Sequence, residues 1–116
     1  MIRTTQRYWP LLAAAILLPL HLKLDKSDPK ADTVLAASPK AVSLWFSQPV
    51  ELPATKITIS DAAKKNVVTK ALANAADGAV VADLDTPLAA GKYTVSWRTM
   101  AKDGHVIKGD FVFSVK

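Results

Sequence analysis

The sequence predicts an all-β domain: an immunoglobulin-like antiparallel Greek-key β-sandwich or barrel of about seven strands. Three observations point there. Short apolar runs alternate with polar residues at period two, the mark of half-buried strands. The runs are separated by turn chemistry, including Ser27-Asp28-Pro29, Ser38-Pro39, Gln48-Pro49, Asp77-Gly78, Thr86-Pro87 and Gly91. Seven such runs fit within fewer than 100 residues, the scale of an immunoglobulin-like sandwich.

In chain order, the opening "MIRTTQRYWPLLAAAILLPL" stands apart from the rest. Arg3 and Arg7 make a positive start, and no charge follows from Tyr8 to Leu20. A run of that length is shorter than the roughly 20 residues of a membrane span. A basic start followed by a short apolar stretch is the pattern of a secretory signal peptide. Residues 1–20 are therefore expected to be a signal peptide or an uncleaved N-terminal apolar segment, and residues 21–116 the folded domain. Small residues suited to a cleavage site occur as Ala13 and Ala15, which would free Ile16. A cut after Leu20 would place Leu18 and Leu20 there instead.

The strands follow. In "HLKLD", Leu22 and Leu24 alternate with polar residues. "AVSLWFS" puts Val42, Leu44 and Phe46 on one face and Ser43, Trp45 and Ser47 on the other. "KITIS" pairs Ile57 with Ile59. "NVVTKAL" (66–72) and "AVVADL" (79–84) are shorter apolar runs. "KYTVSWRT" aligns Tyr93, Val95 and Trp97, and "DFVFSV" aligns Phe111, Phe113 and Val115. "ALANAADGAV" has helical propensity but is short and broken by Asn, Asp and Gly. Tyr93, just after a glycine turn, stands where a sandwich places a tyrosine corner, and it serves equally well as plain core.

Composition narrows the function. Half of the 116 residues are hydrophobic and 22% are charged, so a packed domain is expected. Cysteine is absent, which removes disulfides, thiolate metal sites and cysteine nucleophiles. The net charge of +5 is scattered, without the basic stripe and interleaved aromatics of a nucleic-acid binder. Loss of residues 1–20 removes two arginines and leaves 13 − 10 = +3. No serine sits in a nucleophile-elbow context, the four glycines are isolated, and the acids lie beside turns or lysines. Neither an enzyme nor a small-molecule binder is expected.

Only two histidines are present, His21 and His105. His105 follows Asp103-Gly104, a turn signal between strands, and Gly104 can act as a hinge between the two. A histidine beside a turn is ordinarily a solvated or hydrogen-bonded residue. His21 is the first residue after the apolar segment. If it becomes residue one, its α-amine, with a pKa of about 8, can deprotonate near neutrality and chelate together with its own imidazole. With His105 and Asp103 the set is three nitrogens and one oxygen, which suits tetragonal Cu(II).

The stretches "HLKLDKSDPKADTVLAASPKAVSLWFSQPVEL" and "TPLAAGKYTVSWRTMAKDGHVIKGDFVFSV" closely resemble the copper resistance protein C (CopC) family, over essentially all of residues 21–116. The resemblance implies a periplasmic β-sandwich that binds Cu(II) through His21 (amine and side chain), Asp103 and His105, acts as a copper carrier in homeostasis or resistance, and hands copper to an inner-membrane transport protein of the CopD type. Some members carry a glutamate after Phe-Ser, near the copper; here that position is Gln48, a neutral supporting residue. Some also bind Cu(I) through a loop rich in methionine and histidine, but the matching residues 57–68 contain neither, and soft Cu(I) prefers thioether sulfur. Trp97 and Trp45 are candidates to lie near the metal, with core packing the default for Trp97. Arg98, on the opposite face from Trp97, is a candidate surface or supporting residue. A monomer is expected. The alternative reading is an immunoglobulin-like structural or interaction module without a working metal site. A copper oxidase is a further alternative, disfavoured by a ligand set already filled.

Overall fold

In the computed structural model, residues 21–116 are described; the expected signal segment, residues 1–20, lies outside them. The chain builds β1 (Leu24–Asp28), β2 (Val34–Leu35), β3 (Ala41–Phe46), β4 (Lys56–Ser60), β5 (Ala73–Asn74), β6 (Val80–Asp83), β7 (Gly91–Met100) and β8 (Val106–Val115), with one 3-10 turn at Leu52–Ala54. Two four-stranded sheets result, ordered β1-β3-β6-β5 and β2-β8-β7-β4. The chain passes repeatedly between them, giving the expected all-β Greek-key sandwich.

Two details depart from the expectation. The β2–β8 pair is parallel, in an otherwise antiparallel fold. The run "NVVTKAL" is not a strand: it makes only the isolated bridges Ser60↔Asn66 and Thr69↔Leu84. Its backbone is satisfied outside a ladder, Val67 N–H donating to Ile59 C=O and Lys70 N–H to Asp83 C=O. Of its apolar residues, Val67 and Leu72, five positions apart, pack against the core while Val68 is exposed.

The alternation read from the sequence sets the core. Val42, Leu44, Ile57, Ile59, Val80, Ala82, Tyr93, Val95, Phe111, Phe113 and Val115 form one buried cluster between the sheets. Each large apolar side chain so buried contributes about 1.5–3 kcal/mol. Trp97 continues the inward row of β7 and meets Phe46 of the opposite sheet edge-on, with ring centroids 5.3 Å apart. Tyr93 fills both proposed roles. Its ring stacks on Phe113 at 5.6 Å, and its hydroxyl donates to Ala89 C=O at 2.8 Å, which ties the strand to its preceding turn. Thr99, 1% exposed, satisfies its hydroxyl against Thr55 Oγ1 at 2.7 Å.

β7 and β8 are the longest strands, ten residues each, and pair over their full length from Gly91↔Val115 to Met100↔Val106. This ribbon carries the Asp103-Gly104-His105 turn at its tip. Among the described residues, no helix is long and apolar enough to cross a membrane.

Candidate metal centre

The tip of the β7–β8 hairpin is built by Asp103. Ala101 N–H donates to His105 C=O at 2.8 Å and Gly104 N–H to Ala101 C=O at 2.9 Å, closing the turn. Gly104 sits at φ +92°, a conformation that side chains rarely adopt. Asp103 Oδ1 accepts the His105 N–H at 3.0 Å, an Asx-type bond that fixes the last corner. The second oxygen, Oδ2, lies 2.7 Å from His105 Nδ1.

Electrostatics then assigns the imidazole. The bonds from the His105 backbone N–H, and next from its ring, hold the Asp103 carboxyl below the usual carboxylate range. An ionised carboxylate only accepts, so Nδ1 is the donor, and in the neutral imidazole this tautomer leaves the Nε2 lone pair for another partner. Histidine that binds a metal is commonly oriented in this way, with its other ring nitrogen donating to a carboxylate. Both side chains are exposed, at 83% for His105 and 63% for Asp103.

His21 reaches the same place from the other sheet. Leu22 is 8% exposed and anchors the segment in the core. Ser47, just past β3, clamps it from outside: its N–H donates to Lys23 C=O at 2.8 Å. Its hydroxyl oxygen accepts from Lys23 N–H at 2.9 Å and donates to His21 C=O at 3.3 Å. The backbone of His21 is thus held while its side chain is exposed. His21, Gln48, Asp103 and His105 line one groove of about 710 Å³, with Val106 and Ile107 among its apolar walls.

The structure brings Asp103 and His105 into direct contact and places His21 and Gln48 along the same groove. It does not cluster the three candidate ligands: among the described residues, no three His, Cys, Asp or Glu side chains form a ready group. The donor chemistry, two imidazoles and a carboxylate, nevertheless fits a borderline divalent ion such as Cu(II). Neither Trp45 nor Trp97 lines the groove. Trp97 is core, and Trp45 faces outward, with Lys26 Nζ 4.7 Å from its ring centroid and its Nε1–H donating to Asp77 Oδ2 at 3.0 Å. Arg98 is on the outer face of β7, away from Trp97. Ser47 was not singled out in the sequence, because its role depends on two segments meeting.

Residues 24–116 match the family model for the CopC domain. Among curated relatives, Protein YobA of Escherichia coli (strain K12) is 35% identical over 98 residues, covering 83% of this chain and 79% of that protein. Among solved structures, PcoC, described as a methionine-rich copper resistance protein from Escherichia coli, superposes with a TM-score of 0.75 at 32% identity, covering 83% of this chain and 99% of PcoC. CopC from Methylosinus trichosporium OB3b also superposes with a TM-score of 0.75, at 36% identity, covering 83% and 94% of the two chains.

Proposed function

Since the chain belongs to the CopC family, we propose that it is an exported copper protein that carries Cu(II) as cargo at the groove shared by His21, Asp103 and His105. The observation that supports this most is the 2.7 Å contact between Asp103 and His105 at a hairpin tip facing the anchored His21 segment. It leaves Nε2 of His105 as a directed nitrogen. Asp103 has about four lone-pair sites and uses two here, so it can face a metal ion while still holding the ring. If the leader is cut before His21, the new α-amine and the His21 imidazole complete a set of three nitrogens and one oxygen. Gln48 would border the ion without adding charge. The chain contains two methionines, Met1 and Met100, in contrast to PcoC, described as methionine-rich. That difference favours Cu(II) over the softer Cu(I).

In this reading the protein turns over no substrate. It acts in the periplasm as a monomer and passes copper to an inner-membrane transport protein of the CopD type. Because His21 stands apart from the other two ligands, the site is assembled when the ion arrives. The rival reading, a structural module without a metal site, predicts no role for either histidine.

The test is to express the full-length gene, sequence the N-terminus of the exported product, and titrate the metal-free protein with Cu(II) by electron paramagnetic resonance. The expected result is a start at His21 and a three-nitrogen tetragonal signal. Affinity no better than that of a His105→Ala variant refutes the carrier. Adding one alanine before His21 is expected to weaken binding by orders of magnitude; no change would show that the amine is not a ligand.

A further inference from the structure

The outer face of the β4-β7-β8 sheet carries three cations in one line. Lys56 pairs in register with Arg98, and Arg98 with Lys108, so the three stand side by side on adjacent strands. All three are exposed, and among the described residues none of them makes an ion pair or side-chain hydrogen bond. Like charges directly opposite across a sheet repel, so this row works against the fold, and among the described residues the one carboxylate lining the same strip, Asp110, makes no ion pair with it. The next row is Thr58, Ser96 and Asp110, and together the two rows line an open strip of about 510 Å³. On the other side of the cations stands the pair Met100↔Val106, 37% and 46% exposed. Val106 is also a wall of the His21–Asp103–His105 groove.

From this in-register row we infer a docking surface for an acidic, extended segment of a protein partner. The cations are spread along a line of about 10 Å, two strand spacings, rather than converging on a point. That suits several carboxylates in succession, not a single oxyanion. Asp110 at the border of the strip repels acidic groups, so it limits an acidic segment to the cationic row itself and disfavours the broad contact of an anionic bilayer. The exposed Met100 and Val106 supply the apolar contact that a cationic rim alone lacks. A segment seated here reaches the wall of the groove through Val106. The inference stands whether or not the groove takes copper, and its test uses metal-free protein.

The probe is fluorescently labelled hexaglutamate, followed by anisotropy at low salt against the purified product of the full-length gene. Binding is expected and should weaken as salt is added. The variant Lys56→Gln/Arg98→Gln/Lys108→Gln is expected to lose about tenfold in affinity, three exposed charge contacts acting together. Lys30→Gln/Lys40→Gln/Lys70→Gln, with the same change in net charge at exposed lysines outside β4, β7 and β8, should change affinity by less than about twofold. Equal losses in both variants overturn the inference, as does tighter binding to phosphatidylglycerol vesicles or to inorganic phosphate than to the peptide. The triple variant should unfold at no lower urea concentration than the parent, since it removes repulsion. If it does not fold, Arg98→Gln alone serves, with a loss of about two- to threefold expected and no loss overturning the inference.

Discussion

Replacing Gly109 with alanine tests the packing of the long hairpin. A Cβ at this position would lie 2.7 Å from Trp97 Cζ2, 3.0 Å from Cε2 and 3.3 Å from Nε1. The first contact is closer than carbon atoms tolerate, so the indole must move. Its freedom is reduced because it also meets Phe46 edge-on, with ring centroids 5.3 Å apart. Two effects oppose each other. Alanine narrows the unfolded ensemble, which favours folding by about 0.4–1 kcal/mol where the backbone is compatible. Overpacking costs about 1–3 kcal/mol. The overpacking term dominates, for a net loss of about 1–2 kcal/mol and, at about 4–8 °C per kcal/mol for a domain of this size, a lower Tm by about 4–16 °C. Urea and thermal unfolding measure it. Trp97→Phe removes the distal ring that carries Cζ2, the closest of the three atoms, so the double variant should recover about 1 kcal/mol relative to additivity. A Gly109→Ala protein as stable as the parent, or strict additivity with Trp97→Phe, would refute the reasoning.

Other expectations follow from single bonds. Tyr93→Phe deletes the donor to Ala89 C=O at 2.8 Å and should cost about 0.5–1.5 kcal/mol in urea unfolding, since Ala89 is exposed and water can take the donor's place. Ser47→Ala removes the hydroxyl bonds to the His21 and Lys23 backbone. It is expected to weaken Cu(II) binding by roughly three- to tenfold while deleting no ligand, an effect of lost preorganisation readable by competition titration. Asp77 is held below the usual carboxylate range by the Ala79 N–H and then by the Trp45 Nε1–H. Its contribution to stability is therefore complete above the ordinary carboxylate pKa and is lost as pH falls through the lowered value. The Trp45 indole N–H resonance should report that loss, and Asp77→Asn should abolish it.

The sequence made the two-sheet core legible because burial is written at period two. The rows Tyr93-Val95-Trp97 and Phe111-Phe113-Val115 appear as read. The same logic hid the first half of β8. Its inward row contains Gly109, whose missing side chain leaves room for Trp97, so the alternation fades where the strand continues back to Val106. β2 and β5 are two residues each and carry no period at all. "NVVTKAL" misled because two adjacent valines resemble a strand, yet Val67 alone packs inward while Val68 faces solvent. Asp103 and His105 could be read as a pair because the turn links them locally. The groove could not, since Leu22 burial and the Ser47 clamp bring His21 there from a distant part of the chain.

The Asp-Gly turn at the hairpin tip has a twin. At the β5–β6 hairpin, Ala75 N–H bonds Ala79 C=O and Gly78 N–H bonds Ala75 C=O at 2.9 Å each. Asp77 Oδ1 accepts the Ala79 N–H at 3.1 Å, and Gly78 has φ +92°, the same value as Gly104. In both turns one aspartate oxygen shapes the backbone and the other is left over. At Asp77 the spare oxygen holds an indole; at Asp103 it holds an imidazole. The His105 ring is thus an addition to a turn that the backbone and one Asp103 oxygen already close. Changing the residue after the glycine would remove the imidazole and leave every backbone bond of the turn in place, so the ring can be altered without disturbing the sandwich.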